Sequence, residues 1–253
     1  MAAKKKVNKK KKKPEKKKPA RHNSYFDHLE DLRRNILAVL VFFIIAFALC
    51  FWKIEIIIHI LKMPLEGLNI TLHYFKPYEK FLVYIKTAFF AALALSVPFA
   101  GIMAGLFVYP ALKKGEKKYF FIFLSVLPGL FFAGVFFAYR ILVPTALNFF
   151  VSFGETGETA EVWGIDAYIT FVAAVSLAAG AVFLVPAALL ALVRTGIISA
   201  AFLERSRLWF ILAILILASA ITPPDVITQM LLAIPVYFLF EITIIISKLI
   251  GKE

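Results

Sequence analysis

The sequence predicts an all-α polytopic membrane protein with six transmembrane helices and both termini cytoplasmic, and three observations carry that prediction. Hydrophobic residues make up 61% of the 253, with 27 Phe and only 18% charged residues, a balance unsuited to a water-soluble globule. The apolar residues gather into six runs, mostly near the ~20 residues needed to cross ~30 Å of hydrocarbon. The bases alternate with those runs: segments on one side hold 23 of the 29 Lys and Arg. Cytoplasmic loops retain excess Lys and Arg, so these segments read as inside, and two inside termini require an even number of crossings.

Along the chain, residues 1–34 carry 14 bases against 4 acids, and the Lys-rich part, 1–23, reads as a disordered cytoplasmic tail. Residues 24–253 form the membrane domain. Within it, 24–34 reads as a short amphipathic helix at the membrane surface, with Tyr25, Phe26 and Leu29 as its apolar residues. The spans are expected at 36–52, 87–109, 119–139, 168–193, 208–221 and 226–246. They read as helices because only helices satisfy their own backbone in lipid over such runs without barrel alternation. The connector 53–81 includes an apolar stretch, 54–61, interrupted by Glu55 and His59, which fits an interfacial helix rather than a seventh span. The third run continues past Arg140 to about Phe153, with a break expected at Pro144, and caps the bundle on the outer side. The fifth run has only about 14 apolar residues, about 21 Å of helix, and is joined by Thr222-Pro223-Pro224-Asp225 to a last run that contains Pro235. These last two helices read as a short hairpin.

Basic composition invites a nucleic-acid reading, but the charge sits in a tail with almost no aromatic residue before Tyr25, and no nucleic acid is expected. A solvated tail that reinforces orientation, or one drawn to anionic headgroups of membrane lipids, accounts for it. The single Cys50 lies inside the first span and cannot form an internal disulfide. All four His (His22, His28, His59 and His73) fall outside the spans, so an intramembrane serine hydrolase has no base. No HExxH, paired intramembrane Asp, metal-ligand cluster or phosphate-cradling loop appears, so no enzyme, cofactor or metal is expected.

Ionisable residues within spans are few. Lys86 and Arg140 fall near the outer interface, where snorkelling accounts for them. Glu241 lies in the last span, facing a partner or substrate or reaching the inner interface near Lys248. Gln229 is the kind of uncharged donor and acceptor that joins transmembrane helices. Acids also stand among bases on the inner face, in His28-Leu29-Glu30-Asp31-Leu32-Arg33-Arg34 and in Lys113-Lys114-Gly115-Glu116-Lys117-Lys118. Their neighbours either neutralise them, or they wait for a cationic ligand, since Arg–carboxylate pairs are geometrically specific.

These residues resemble the TatC family, the polytopic receptor of twin-arginine protein export. The strongest match runs from Thr222-Pro223-Pro224-Asp225 through Gln229 and Pro235 to Glu241-Ile242, similar to the family's last span almost throughout. The entry to the first span, Pro77-Tyr78-Glu79-Lys80-Phe81 (a P-x-E-x-F signature) and the loop from Pro110 to Lys118 support it, in order, over residues 25 to about 250. The resemblance implies a prokaryotic plasma (inner) membrane location and capture of Arg-Arg signal peptides of folded cargo. It also implies single-span TatA/TatB-like partners, a larger complex in which the chain self-associates, and use of the proton gradient. By position, Glu116 and Asp31, with Glu30 in reserve and Arg33 beside them, would meet the signal. Thr222, Gln229 and Glu241 would dock a partner helix, and Pro77, Glu79 and Phe81 would form an outer-face motif. Two departures stand out: Asp31 replaces the usual Glu, one methylene shorter, and Leu184 lies where many members place Glu or Gln. The competing reading, a six-span small-solute transporter, requires a polar midplane cavity that the spans barely supply.

Overall fold

The computed structural model of the chain describes residues 24–68, 70–109, 117–154, 162–194, 196–221 and 226–250. The expected disorder of the tail 1–23 therefore falls outside the described residues.

Helix α1 (Ser24–Trp52) is continuous for 29 residues, which corrects the expectation of a separate surface helix at 24–34. Between Leu32 and Ala38 the chain offers neither Gly nor Pro, so nothing interrupts helix propagation. The amphipathic segment is simply the start of the span. After Lys53, α2 (Ile54–Lys62) buries Ile54 and Ile58, one turn apart, and leaves Glu55 and His59 exposed, the one-sided burial of an interfacial helix. A 3₁₀ turn (Met63–Leu65) and a reversal at Gly67, whose φ of +94° suits glycine, lead to strand β1 (Leu72–His73). It pairs in parallel with β2 (Trp163–Gly164), Leu72 opposite Trp163 and His73 opposite Gly164.

Helix α3 (Glu79–Val108) starts at Glu79 rather than residue 87, because the polar residues before the apolar run are as helical as the run itself. The third run holds α4 (Lys117–Phe137), a π-helical turn (Ala138–Leu142) and α5 (Val143–Gly154). The irregularity thus precedes Pro144 instead of falling at it: the widened turn absorbs the clash a proline ring makes with the carbonyl four residues back. Then come α6 (Ile165–Arg194), α7 (Ala200–Arg205), α8 (Arg207–Ile221) and α9 (Val226–Ile250). Five stretches are long and apolar enough to cross a membrane: Leu29–Trp52, Glu79–Phe107, Leu124–Ser152, Ile165–Arg194 and Val226–Leu249. Helix α8 is apolar but has 15 residues, about 22 Å. The shortness expected of the last pair belongs to α8; α9 has 25 residues.

Helix α6 is the axis of the bundle, packing against α3, α4, α8 and α9, while α1 lies along α3. Gly134 of α4 and Gly180 of α6 bring two backbones together, a Cβ on Gly134 having room for only 2.9 Å to the Gly180 Cα. Small residues allow such approaches where lipid offers no hydrophobic drive between helices. Ring stacks join α1 to α3 (Phe42–Phe99, 4.3 Å) and α8 to α9 (Phe210–Phe240, 3.7 Å).

Two ends of the bundle result. One, the cap end, gathers α2, the β1–β2 pair, the start of α3 and the start of α6. The tyrosine hydroxyls of Tyr139 and Tyr168 donate to the carbonyls of Ile60 and Leu61 at 2.5 and 2.7 Å. They thereby add donors to the last turn of α2, where the Ile60 carbonyl also accepts from the Met63 amide. The other, the basic end, holds the start of α1, the end of α3, the start of α4 and α7.

Candidate functional site

At the basic end, Glu30, Asp31, Arg33 and Arg34 are all exposed on the first turns of α1. Among the described residues none of the four forms an ion pair, so both carboxylates face solvent or headgroups uncommitted. Asn35 Nδ2 reaches the Met103 carbonyl at 3.5 Å, fixing α1 antiparallel to α3 and setting Asp31 at the end where α3 finishes and α4 begins. Glu116, in the intervening loop, lies outside the described residues, as does Thr222. A shallow apolar groove of about 460 Å³ starts beside Arg34 and continues along Leu37, Val41, Phe42, Ile45 and Phe99.

Two other acids of this end, Glu204 and Glu241, are paired within the chain. Arg207, opening α8, places Nη2 3.0 Å from Glu241 Oε2 as donor. Its Nε stands 3.0 Å from Oε1 but off the hydrogen-bonding line, so the pair is one good hydrogen bond plus a close charge contact. Tyr237, one turn before Glu241 on α9, donates its hydroxyl to Oε1 at 2.7 Å. Lys248 Nζ donates to Glu204 Oε1 at 2.7 Å, while Arg207 Nη1 lies 3.9 Å from the same carboxylate. The hydrogen-bonded Lys248 ammonium, with Arg207 behind it, holds the exposed Glu204 carboxyl below the usual carboxylate range. Ser199 caps α7, accepting from the Phe202 amide at 3.1 Å. Glu241 is thus answered within the chain, and Lys248 goes to Glu204 rather than to Glu241. Gln229 acts across the hairpin: its Nε2 donates to the Leu215 carbonyl of α8 at 2.9 Å.

At the cap end the Pro77, Glu79 and Phe81 motif has a legible geometry. Glu79 is buried, and its Oε2 accepts from the amides of Phe75 and Lys76 at 2.6 and 2.9 Å. Pro77 needs no such partner because it has no amide proton. Phe81 points outward, 61% exposed. Lys86, expected to snorkel, instead places Nζ 2.6 and 2.8 Å from the two oxygens of Asp166, tying α3 to α6. Arg140 rests 5.8 Å above the Phe136 ring. Another shallow groove at this end, lined by Leu147, Phe150, Trp163, Tyr168 and Phe171 among others, carries no charged side chain. Among the described residues no three His, Cys, Asp or Glu gather as metal ligands.

The family model for the Sec-independent protein translocase protein TatC matches residues 27–235. The chain belongs to the TatC family. Its similarity to the TatC protein of Halalkalibacterium halodurans is 31% identity over 233 residues, covering 92% of each chain. To TatCy of Bacillus subtilis it is 31% over 225 residues, 89% of each. A crystal structure of the twin arginine translocase receptor TatC in DDM superposes with a TM-score of 0.76 at 31% identity, covering 87% of this chain and 99% of that one. The family and the five long apolar stretches make this a multi-pass membrane protein of the Sec-independent translocase. Sequence reasoning missed the partners of Lys86 and Arg207. The only signal was that Asp166 and Glu241 are carboxylates at the matching ends of apolar runs.

Proposed function

We propose that this TatC protein is the receptor that captures Arg-Arg signal peptides at the basic end and recruits TatA/TatB-like single-span partners for proton-gradient-driven export of folded cargo. On this reading the basic end faces the cytoplasm of a prokaryote, α8 completes a sixth crossing, and both termini lie inside. Glu116 and Asp31 meet the two guanidinium groups, with Glu30 in reserve, while Arg33 and the lysines around Glu116 repel cations that cannot form a bidentate pair. The observation that carries the reading is the contrast at that end: Glu30 and Asp31 are exposed and uncommitted, whereas Glu204 and Glu241 are already paired. The groove beside Arg34 offers the apolar part of the signal a bed along α1. Gln229 holds the α8–α9 hairpin in shape for partner docking, with Thr222 in the connection between the two helices and Glu241 at the basic end.

The test uses purified full chain in nanodiscs and a fluorescent Arg-Arg signal peptide against its Lys-Lys twin. Tighter Arg-Arg binding that disappears in Glu116→Gln, with unchanged melting, is the expected result. Equal, salt-sensitive binding of both peptides would reduce the site to surface electrostatics.

A further inference from the structure

The cap end presents a cluster to which the proposed capture of signal peptides at the basic end assigns no part. Tyr74, Phe75, Tyr78 and Phe81 are exposed large aromatics on one short stretch leading into α3. They are not on a slack loop: the Glu79 carboxylate holds the amides of Phe75 and Lys76, and β1 is paired to β2. Gly164 of β2 packs so closely beneath Phe75 that a Cβ there would sit 2.8 Å from the ring.

Two cations lie beside aromatic rings of this stretch and of the first turns of α3. Lys76 Nζ lies 6.0 Å from the centre of the Tyr78 ring, and Lys80 Nζ lies 5.8 Å from that of Tyr84. Ring faces attract ammonium groups without neutralising them, and neither lysine has a carboxylate partner among the described residues. The nearest acid in the sequence, Glu79, is buried and occupied by two backbone amides. Lys86, farther along α3, is by contrast neutralised by Asp166. The patch therefore keeps two full positive charges, four residues apart in the chain at the start of α3 and flanked by exposed aromatics.

Its height on the molecule decides what can answer those charges. The lysines stand where the apolar Glu79–Phe107 stretch begins, at the level where aromatic residues meet the headgroup layer of a bilayer. We propose that Lys76 and Lys80 form a binding site for the phosphate of an anionic phospholipid in the leaflet at the cap end. In it the two ammonium groups take the phosphate oxygens, while Phe75, Tyr78 and Phe81 lie against the glycerol and upper acyl carbons. Lysine serves phosphate as a point charge, so the site selects charge rather than headgroup shape.

The experiment is a titration of the detergent-purified full chain with phosphatidylglycerol or phosphatidylcholine, read by native mass spectrometry. Phosphatidylglycerol is expected to bind more tightly. At about fivefold per lysine near an anionic surface, K76Q/K80Q loses about 25-fold in that affinity, with the melting temperature unchanged. K76R/K80R, which keeps the charge, stays near the wild type, and so does K16Q/K17Q, which removes the same charge from the tail. Unchanged phosphatidylglycerol binding in K76Q/K80Q, or an equal loss in K16Q/K17Q, overturns the site. Loss in K76R/K80R overturns its basis in charge, and displacement of the lipid by millimolar inorganic phosphate would make it a site for free phosphate instead.

Discussion

The crossing of α4 and α6 makes two glycines unequal, and that inequality is measurable. A Cβ on Gly134 would lie 2.8 Å from the Ala179 carbonyl oxygen, 2.8 Å from Phe183 Cγ and 2.9 Å from Gly180 Cα. Two of those three atoms are backbone, so relief requires the helices to move apart. A Cβ on Gly180 meets side chains only, Phe131 Cε2 and Val135 Cγ2, both at 2.8 Å. A ring and a methyl can turn away. Overpacking a tight core costs about 1–3 kcal/mol, and replacing a helical Gly by Ala returns up to about 1 kcal/mol of helix propensity. Gly180→Ala should therefore fall within about 1 kcal/mol of the wild type, whereas Gly134→Ala should lose about 2 kcal/mol, at the upper end of the overpacking range. Reversible unfolding in mixed detergent micelles, followed by circular dichroism, reads both. Trimming the obstructing ring supplies a cycle: Phe131→Leu should couple favourably to Gly180→Ala and not to Gly134→Ala, since only the former meets that ring. Equal losses for the two glycines, or rescue of Gly134→Ala by Phe131→Leu, would refute the backbone-contact argument.

Glu79→Ala should destabilise by about 1–3 kcal/mol, because two amides lose a charged acceptor. Hydrogen exchange at Phe75 and Lys76 should accelerate, and protection unchanged at both would deny Glu79 this role. Arg207→Met should cost about 1 kcal/mol, discounted for partial exposure, by leaving Glu241 to Tyr237 alone. Adding Glu241→Leu should recover most of that loss in the same unfolding assay, and a further drop would show that the pair contributes more than it requires in desolvation. The depressed Glu204 carboxyl makes the α7 tether pH-dependent in a definite sense. Its contribution is complete above the usual carboxylate range and fades as pH falls through the lowered folded-state value. Protection factors over Ala200–Arg205, which are corrected for the intrinsic slowing of amide exchange in acid, should therefore fall on acidification in the wild type and show no such step in Lys248→Met.

The helical class and the order of the apolar runs were legible because they depend on composition over ~20 residues. What the sequence concealed depends on termini and register. Helix α1 runs unbroken from Ser24 because polar residues at 24–34 are helix-compatible, a fact that hydropathy does not weigh. The π turn sits ahead of Pro144 because the proline ring acts on the preceding turn, so the visible residue and the visible distortion differ in position. Lys86 was read as a snorkelling base, which is what an isolated lysine at an interface does. Its carboxylate is 80 residues away on α6, and only the parallel alignment of α3 with α6 brings them level. The same holds for Arg207 and Glu241, 34 residues apart. At the candidate site the sequence marked Glu30, Asp31 and Glu116 by their setting among bases. It had no means of telling committed acids from free ones.

That distinction bears on how an arginine pair would be recognised. A guanidinium approaching Glu204 must displace Lys248, and one approaching Glu241 must displace Arg207 and the Tyr237 hydroxyl. Each exchange trades one charged hydrogen bond for another and gains little. At Asp31 the exchange is with water, so the new pair keeps its whole net value, about 1.5–3 kcal/mol for a charged hydrogen bond. Asp31→Asn should then weaken Arg-Arg peptide binding about tenfold or more, the factor that corresponds to the lower figure. Asp31→Glu, which restores the longer reach usual in the TatC resemblance, should bind at least as well as the wild type. Lys-Lys peptide, whose ammonium groups cannot engage both carboxylate oxygens in one plane, should respond weakly to either change. Full Arg-Arg affinity in Asp31→Asn would remove α1 from recognition and shift the whole burden to the loop between α3 and α4.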